Sequence, residues 1–222
     1  MSDHGGAALL FDLTMPLSAA TTPVPGHPCP TFSPLHELER DGIRNTVVQM
    51  SLHTGTHVDA PSHIVADGIT IDEIPCERFE RPGIRLDLRE RAQPETPLTL
   101  EDLYEGGFDP DTVAGSIVVL NAGWTDLHMG LPSLYGPNPY LALDAAEALA
   151  SAAPSAVALD FAIDSGRPWP NHRVLLGAGI PLIENLVGLH RLPRSGFSVS
   201  AFPLRIVGGN GAPARVVARV QP

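Results

Sequence analysis

Residues 51–64 read SLHTGTHVDAPSHI and contain three of the nine histidines of the chain together with one aspartate. Gly55 and Pro61 interrupt this segment, and neither residue favours the interior of a helix or a strand. If nine histidines were spread at random over the 222 residues, an eleven-residue window would hold about half of one. Residues 53–63 hold three, which indicates a specialised loop rather than regular structure.

No regular backbone brings the polar side chains of this segment together. In a helix, at about 100° per residue, Asp59 would point about 240° away from His53. In a strand, at ~3.3 Å per residue, these two residues would lie ~20 Å apart. If these side chains share one cation, the chain must leave its strand near His53 and curl around the ion. Gly55 allows the left-handed dihedrals that such a curl needs, and Pro61 fixes a turn.

The segment offers imidazole nitrogens and a carboxylate as possible ligands. This mixture suits Zn²⁺, and Mn²⁺ or Fe²⁺ are alternatives because no thiolate takes part. The competing interpretation is a polar surface loop whose histidines are solvated or hydrogen-bonded within the fold. The spacing favours a metal site over that interpretation.

The composition is that of a folded protein with many turns. Hydrophobic residues make up 43% and charged residues 18% of the chain, which also has 23 prolines and 21 glycines. No linker divides the sequence, so we predict a single domain over residues 1–222, of the α/β or all-β class. The net charge of -11 argues against nucleic acid and anionic membrane surfaces as partners.

Targeting signals and cysteine pairs are both missing from the sequence. The first residues, MSDHGGAALLFDLTMPL, lack the basic start and the apolar core of a signal peptide, and no run of about 18 apolar residues occurs. We therefore expect a cytoplasmic protein. Cys29 and Cys76 form no CxxC pair, and two cysteines are too few for a disulfide scaffold, so we expect free thiols.

Local patterns predict a strand-rich framework with few helices. Six β-branched or alternating runs, most of them bounded by Gly or Pro, are typical of strands. They cover residues 45–53, 83–89, 116–123, 156–162, 197–208 and 214–220. Helices are predicted from Thr99, where Asp102 completes a capping box, and over residues 141–153 and 183–192. The sequence GGNG at residues 208–211 indicates a turn between the last two strands.

Residues 53–63, HTGTHVDAPSH, resemble the signature H-x-G-T-H-x-D-x-P-x-H of the cyclase family of metal-dependent hydrolases, which includes bacterial kynurenine formamidase (arylformamidase) and isatin hydrolase. All seven fixed positions match. Further similar segments follow in order along nearly the whole chain. They are FDLTMPL (11–17), VVLNAGW (118–124), ALDFAIDS (158–165), NHRVLLGAGIPLIENL (171–186) and FPLRIVGGNGAPARVVA (202–218). The resemblance implies an α/β chain with the swivelling β/β/α fold, and homo-oligomers, commonly dimers, whose active sites can receive residues from the neighbouring subunit.

The resemblance also implies a role for each polar residue of the signature. His53, His57 and Asp59 match its metal ligands, and His63 matches the residue that serves as general acid and base. Zinc is the metal that we expect, as one or two ions, with Mn²⁺ as the alternative.

Family members with two metals add a histidine and a glutamate from the second half of the chain. His172 and Glu184 occupy the matching positions, with Asp59 as the bridge. Isatin hydrolase carries glutamine at the Glu184 position and uses one metal, so Glu184 favours the two-metal, formamidase-like arrangement. Without the resemblance, His172 would pass for a surface histidine and Glu184 for a solvent-facing acid. Asp160 and Asp164 either orient a ligand imidazole or are ordinary residues of a strand end and a turn, and the pattern favours the second interpretation.

Aromatic residues in turn-rich segments are candidates for a pocket that accepts a planar substrate, with core packing as the alternative. We predict this pocket role for Trp124 and Trp169, and Trp169 lies between two prolines only three residues from His172. Further candidates are Phe32, Tyr135 and Tyr140. Relatives tend to carry an acidic or amide residue in place of His27, which indicates that the loop at residues 25–28 shapes a different pocket.

The expected activity is metal-dependent hydrolysis of a small amide other than a peptide, with an arylformamide such as N-formylkynurenine as the first candidate. A divalent ion acidifies its bound water and polarises a carbonyl oxygen, and His63 can pass a proton to the leaving nitrogen. One alternative is the hydrolysis or formation of a cyclic amide, imide or lactone. The other is a non-catalytic binding protein in which a closed, four-ligand metal site stabilises the fold.

Overall fold

The computed structural model describes residues 8–221 and contains twelve strands and six helices within that range. The strands are β1 (Leu9–Asp12), β2 (Thr31–His36), β3 (Asn45–Gln49), β4 (His57–Asp59), β5 (Glu80–Asp87), β6 (Pro97–Leu98), β7 (Ile117–Asn121), β8 (Tyr140–Leu141), β9 (Ala156–Leu159), β10 (Leu182–Glu184), β11 (Phe197–Pro203) and β12 (Gly211–Val220). The helices are α1 (Leu38–Asp41), α2 (Leu100–Glu105), α3 (Pro110–Val113), α4 (Trp124–His128), α5 (Leu143–Ser151) and α6 (Pro170–Gly177). The predicted strand-rich α/β class with few helices is confirmed.

One sheet of eight strands, in the order β1-β12-β11-β5-β7-β9-β10-β4, organises the chain. Because β4 also pairs with β12, the seven strands from β12 to β4 close into a barrel-like sheet. Strands β5, β7, β9 and β10 run parallel, whereas β11, β12 and β4 pair antiparallel with their neighbours. The closure joins strands from both ends of the chain and leaves few free sheet edges.

Two hydrophobic clusters lie on the two faces of this sheet. Strand β7 is buried along its whole length, and its side chains alternate between the clusters. Ile117 and Val119 belong to the cluster inside the closed sheet, which is rich in alanine and valine from the other strands. Val118 and Leu120 belong to the outer cluster, where α2, α5 and α6 pack. Alternate residues of one strand therefore serve two cores, as the two-residue period of a strand requires.

The local signals near residue 99 and after residue 203 agree with the structure. Thr99 caps α2 by accepting a hydrogen bond from the backbone N–H of Asp102, whose side chain accepts one from the N–H of Thr99. Such a cap contributes about 1 kcal/mol. Each of the six predicted strand runs overlaps an observed strand, although β3 ends at Gln49, before residue 53. The turn predicted at residues 208–211 precedes β12, and Gly208 has a left-handed φ of 72°.

The helix predicted over residues 183–192 is wrong. Its first residues belong to β10, and only Leu189–Arg191 form a single 3-10 turn. Ile183 pairs with a strand on each side, while Asn185 and Gly188 have left-handed φ angles of 58° and 69° that a right-handed helix cannot contain. The apolar run therefore reflects burial within the sheet. Helix α6, in contrast, lies where no helix was expected.

Strands β2 and β3 form a separate antiparallel hairpin, with α1 in the connection between them. Almost every residue of the two strands is exposed. The exposed large apolar side chains of the hairpin and its connection are Phe32, Leu35, Leu38, Ile43, Val47 and Val48. Such a concentration of exposed apolar side chains is typical of an interaction surface.

Cys29 and Cys76 are both unpaired and exposed, which confirms the expectation of free thiols. Among residues 8–221, no helix combines the length and the hydropathy that a membrane crossing requires.

Candidate metal centre

Two adjacent strands, β4 and β10, carry three of the predicted ligands on one face. They pair antiparallel, with His57 opposite Glu184 and Val58 opposite Ile183. Val58 and Ile183 belong to the cluster inside the closed sheet. Because successive side chains of a strand point to opposite faces, His57, Asp59 and Glu184 project outward, towards α6.

The loop before β4 adds His53 to this group. Gly55 adopts a left-handed φ of 66°, so the chain turns just before the strand, as the sequence predicts. The carbonyl oxygen of Gly55 accepts a hydrogen bond of 2.8 Å from His57 Nδ1, which directs Nε2 of that ring towards the carboxylates. Gly211 leaves room for His53, because a Cβ at this position would lie 2.8 Å from Cε1 of the His53 ring.

Helix α6 supplies His172 from the opposite side. Asp164 orients this residue, since its Oδ2 accepts a hydrogen bond of 2.6 Å from His172 Nδ1 and a second one of 3.2 Å from the backbone N–H. Its Oδ1 accepts from the backbone N–H of Asn171 at 2.9 Å. The free Nε2 of His172 then faces the strands. The preferred interpretation of Asp164 as an ordinary turn residue is therefore wrong.

Asp160 is also buried and lies only four residues before Asp164, but it has a different role. Its oxygens accept hydrogen bonds from the backbone N–H groups of Ala122 and Gly123 at 2.7 and 2.8 Å. Burial raises the pKa of Asp160 to about 7, against the opposing effect of these bonds. It holds the end of β7 and contacts no imidazole among residues 8–221.

Four of the side chains form a closed ring of alternating imidazoles and carboxylates. The distances around it are 3.1 Å from His57 Nε2 to Asp59 Oδ1, 3.5 Å from Asp59 Oδ2 to His172 Nε2, 3.6 Å from His172 Nε2 to Glu184 Oε1 and 3.8 Å from Glu184 Oε2 to His57 Nε2. Two ligand atoms bound at about 2.1 Å in tetrahedral geometry lie about 3.4 Å apart. Each neighbouring pair of atoms in the ring is therefore spaced as two ligands of one metal ion would be.

The carboxylate of Glu184 supports the same conclusion. Its Oε1 is buried and has no hydrogen-bond partner among the described residues. A buried carboxylate oxygen that accepts no hydrogen bond costs several kcal/mol unless a cation compensates it, and the nearest imidazole nitrogen, His172 Nε2, lies 3.6 Å away, beyond hydrogen-bond distance. The donor set and this unpartnered oxygen together fit a divalent ion.

His53 extends the ring at Asp59. Its Nδ1 lies 2.6 Å from Asp59 Oδ1, and its Nε2 lies 3.0 Å from Asn210 Oδ1. Two groups of three residues have ligand atoms within 4.8 Å of one another, and both contain Asp59. They are His53, His57 and Asp59, and Asp59, His63 and His172. The chain can thus hold a metal ion, and Asp59 occupies the central position.

Asn210 was missed because the sequence GGNG indicates only a turn. Strand β12 pairs with β4, and Gly211 lies opposite Asp59 in that register. The residue before Gly211 is therefore brought to the metal ligands by a pairing between distant segments. No local signal marks this position in the sequence.

The pKa values of the ring show how strongly this site favours positive charge. Burial lowers the pKa of His57, but the carboxylates of Asp59 and Glu184 outweigh it and raise the value to about 9. Burial likewise opposes the hydrogen bonds of Asp164 and Asp59 to His172, which raise its pKa to about 10. Protons and a metal ion therefore compete for the same nitrogens.

His63 differs from the other imidazoles in both exposure and charge. It ends the 3-10 turn Pro61–His63 and is exposed to the cavity. Its ring centroid lies 4.1 Å from that of His53 and 5.8 Å from that of His172. Burial lowers the pKa of His63 to about 4, helped by the charge of these two neighbours and opposed by Asp59. The His63 ring is therefore neutral at pH 7 in the metal-free protein.

A cavity of about 510 Å³ opens in front of the ring of imidazoles and carboxylates, a size that suits a small molecule. His27, Tyr135, Arg167 and Trp169 are among the residues that line it. Pro25, Gly26 and His27 of the loop at residues 25–28 line this cavity, so the loop helps to shape it.

The two tryptophans have different positions. Trp169 lines the cavity, whereas Trp124 is absent from the lining among residues 8–221. The Trp124 side chain is buried in the outer core, where its Nε1 donates to the carbonyl of Leu134 and its ring stacks on His128 at 3.8 Å. Packing of α4 against the sheet explains this position, and a pocket role for Trp124 is not supported.

A closed α/β sheet with imidazoles and carboxylates gathered beside an open cavity is an arrangement that suits metal-dependent hydrolysis. The family model described as "Putative cyclase" matches residues 11–165. The chain belongs to this cyclase family of metal-dependent hydrolases. The matched region includes His53, His57 and Asp59, while His172 and Glu184 lie beyond it.

Individual relatives extend the similarity over almost the full length. A kynurenine formamidase from Salinibacter ruber is 30% identical over 221 residues, which cover 96% of this chain and 98% of the relative. Isatin hydrolase A from Labrenzia aggregata has a similar structure, with a TM-score of 0.85 and 27% identity over 97% of this chain and 94% of the other. A structure described as a potential metal-dependent hydrolase with cyclase activity gives a TM-score of 0.79 and 26% identity over 97% of this chain and 100% of the other. The chain is accordingly an enzyme of the hydrolase class.

Proposed function

We propose that this enzyme hydrolyses the formamide bond of an arylformamide, with N-formylkynurenine as the first candidate substrate. The observation that supports it best is the ring of His57, Asp59, His172 and Glu184 beside an open cavity that also contains the neutral His63. Relatives named kynurenine formamidase match 94% or more of this chain in several cases, which points to this substrate class.

Five residues are the proposed metal ligands. They are His53, His57, Asp59, His172 and Glu184. Zinc is the first choice because the set consists of imidazoles and carboxylates, and manganese is the alternative. A bridging Asp59 and a carboxylate at position 184 favour two ions over one. When bound, a divalent ion supplies an acidified water and polarises the carbonyl oxygen of the amide.

In the proposed reaction His63 carries the proton. Its neutral ring takes a proton from the attacking water while the water oxygen bonds to the formyl carbon. The C–N bond then breaks, and His63 returns this proton to the departing arylamine nitrogen, so that formate and an arylamine are released. Asp164 keeps His172 in the orientation that the site requires. The cavity walls near Trp169 accommodate the aromatic ring.

The test combines elemental analysis with a hydrolysis screen. We expect one or two zinc ions per purified chain, turnover of N-formylkynurenine, and loss of that turnover with a chelator. His63→Ala should abolish most turnover but keep the metal content, whereas His57→Ala should lower both. Full metal occupancy without turnover of N-formylkynurenine, isatin or simple lactones would contradict the proposal.

A second candidate is the opening or closing of a cyclic amide, imide or lactone. The structural similarity to isatin hydrolases, with TM-scores up to 0.85, favours it. The same screen separates the two candidates, because a cyclic-amide hydrolase would turn over isatin faster than N-formylkynurenine. A non-catalytic binding protein is less favoured, since a structural metal site is closed by its ligands and this one faces a cavity.

We also propose that the chain forms a homodimer, or a larger homo-oligomer, through the β2–β3 hairpin. The exposed apolar side chains of that hairpin support this assembly. Light scattering after gel filtration tests it, and Val48→Asp should shift the protein towards a monomer. A monomeric wild-type protein would contradict it. The cytoplasm is the proposed location because both cysteines are free, and residues 1–222 as one domain stay a prediction.

A further inference from the structure

The segment between β9 and α6 forms one wall of the cavity and has a well-defined backbone. Asp164 ties its beginning to the first turn of α6 through hydrogen bonds to Asn171 and His172. Within the segment, the N–H of Trp169 donates to the carbonyl of Gly166 at 3.1 Å. Arg173 Nε donates to the carbonyl of Pro168 at 3.0 Å. These hydrogen bonds hold the backbone of the segment in a defined position relative to His172.

Arg167 projects from this segment and lines the cavity. The chain has 14 arginines and no lysine. Among residues 8–221, Arg167 is the only arginine that lines the cavity. Its guanidinium takes part in none of the ion pairs between described residues, although six other arginines do. Those six are Arg40, Arg44, Arg85, Arg89, Arg91 and Arg215.

The charges around Arg167 are important because its guanidinium has no ion-pair partner among the described residues. The chain has 25 acidic residues and 14 arginines, so acidic partners are plentiful elsewhere on the surface. At the metal end of the cavity, in contrast, the carboxylates of Asp59, Asp164 and Glu184 are already engaged with imidazoles. Arg167 thus adds a positive charge to the cavity wall that no described carboxylate neutralises.

Trp169 lies two residues from Arg167 and lines the same cavity. Its ring centroid is 6.5 Å from that of His172, and 39% of the residue is exposed. A planar indole offers a stacking surface to an aromatic ring, while a guanidinium matches a carboxylate with two parallel hydrogen bonds. The two side chains together fit a ligand that combines an aromatic ring with a carboxylate.

We propose that Arg167 binds a carboxylate of the substrate at the cavity wall, so that the enzyme prefers an aryl amide that carries this carboxylate to one of the same shape that lacks it. This inference rests on the proposed arylformamide hydrolysis and specifies the substrate class of the same site. Arg167 is a specificity residue in this scheme, because it contacts the substrate away from the bond that breaks. The preference should therefore appear in substrate binding more than in turnover.

The experiment compares N-formylkynurenine with its methyl ester, which keeps the ring and the formamide but lacks the carboxylate. For Arg167→Gln in the zinc-loaded enzyme, we expect a KM for the acid that rises about tenfold, as for the loss of a charge-assisted hydrogen bond. The kcat should stay within about twofold, because binding that is uniform along the reaction affects KM alone. The ester should show little change in either parameter.

Two further variants separate specific binding from a general charge effect. Arg167→Lys should fall between wild type and Arg167→Gln, because lysine keeps the charge but loses the planar fork. Arg219→Gln removes the same charge from an exposed position of β12, eight residues along the strand from Gly211, and should behave as wild type. Equal losses for acid and ester, or an equal effect of Arg219→Gln, would overturn the inference.

Binding of the arylamine product distinguishes failure of this inference from failure of the proposed function. Calorimetric titration of zinc-loaded protein with kynurenine and with its methyl ester requires no turnover. Weaker binding of kynurenine alone in Arg167→Gln would support the carboxylate site even if no arylformamide were hydrolysed. Unchanged binding of kynurenine in that variant would refute the site even if wild type hydrolysed N-formylkynurenine.

Discussion

Asp164 is the residue whose replacement tests the construction of the metal centre most directly. Its carboxylate accepts three hydrogen bonds, from His172 Nδ1 at 2.6 Å and from the backbone N–H groups of Asn171 and His172 at 2.9 and 3.2 Å. Asp164→Ala removes all three, so the His172 ring is free to rotate away from Asp59 and Glu184. Asp164→Asn keeps an oxygen for the backbone but loses the negative charge that supports the imidazole.

The expected size of the effect follows from these bonds. Loss of a carboxylate that orients a ligand histidine lowers metal affinity by about 10- to 100-fold, which corresponds to about 1.4–2.7 kcal/mol. Asp164→Ala also leaves two backbone N–H groups at the start of α6 without their acceptor, which costs a further ~1–3 kcal/mol of stability. Asp164→Asn should therefore lose most of the metal affinity and less of the stability.

Two measurements separate these contributions. Competition with a chromophoric chelator at pH 7 gives the zinc affinity, and urea unfolding in excess chelator gives the stability of the metal-free protein. Asp160→Asn is the matched control, because Asp160 is a buried carboxylate that accepts two backbone hydrogen bonds but contacts no imidazole among residues 8–221. It should lose stability and keep zinc affinity. Wild-type zinc affinity in Asp164→Asn, or an equal loss in Asp160→Asn, would refute the reasoning.

Three further predictions concern the same centre. Glu184→Gln should reduce the metal content from two ions to one per chain by elemental analysis, and unchanged content would contradict a ligand role. In metal-free protein, ring NMR should show His63 losing its proton near pH 4 and His57 only near pH 9, in line with their pKa values; similar midpoints would contradict the opposite shifts. Gly211→Ala should weaken zinc binding, because its Cβ would lie 2.7 Å from the backbone oxygen of Val58 in β4 and 2.8 Å from the His53 ring; wild-type affinity would contradict this prediction.

The strands were largely predictable from local patterns, because a buried or alternating run leaves a regular trace in the sequence. The trace was misleading at residues 183–192, where an apolar run looked helical but formed β10. That strand has only three residues, and its pairing with β4 and β9 depends on segments far away in the sequence. Short strands of this kind are stabilised by their neighbours rather than by their own composition.

In the candidate site too, some residues were predictable from the sequence and others were not. His53, His57, Asp59 and His63 were visible as a cluster because one short loop carries all of them. The convergence of Asp164 with His172 was not visible, since an aspartate after a strand has many possible roles. The role of Asp164 becomes clear only in the structure, where the first turn of α6 places His172 Nδ1 within hydrogen-bond distance of its carboxylate.

By itself, the sequence determined the strand-rich class and the presence of a metal-binding loop, because both depend on residues that are close along the chain. The tertiary structure decided that Glu184 and His172 complete a ring with Asp59, and that Arg167 lies on the wall of the same cavity. It also showed that Trp124 is buried in the outer core and does not line the cavity. The physical reason is that a closed sheet brings distant segments into register, and such contacts leave no periodic signal in the segments that make them.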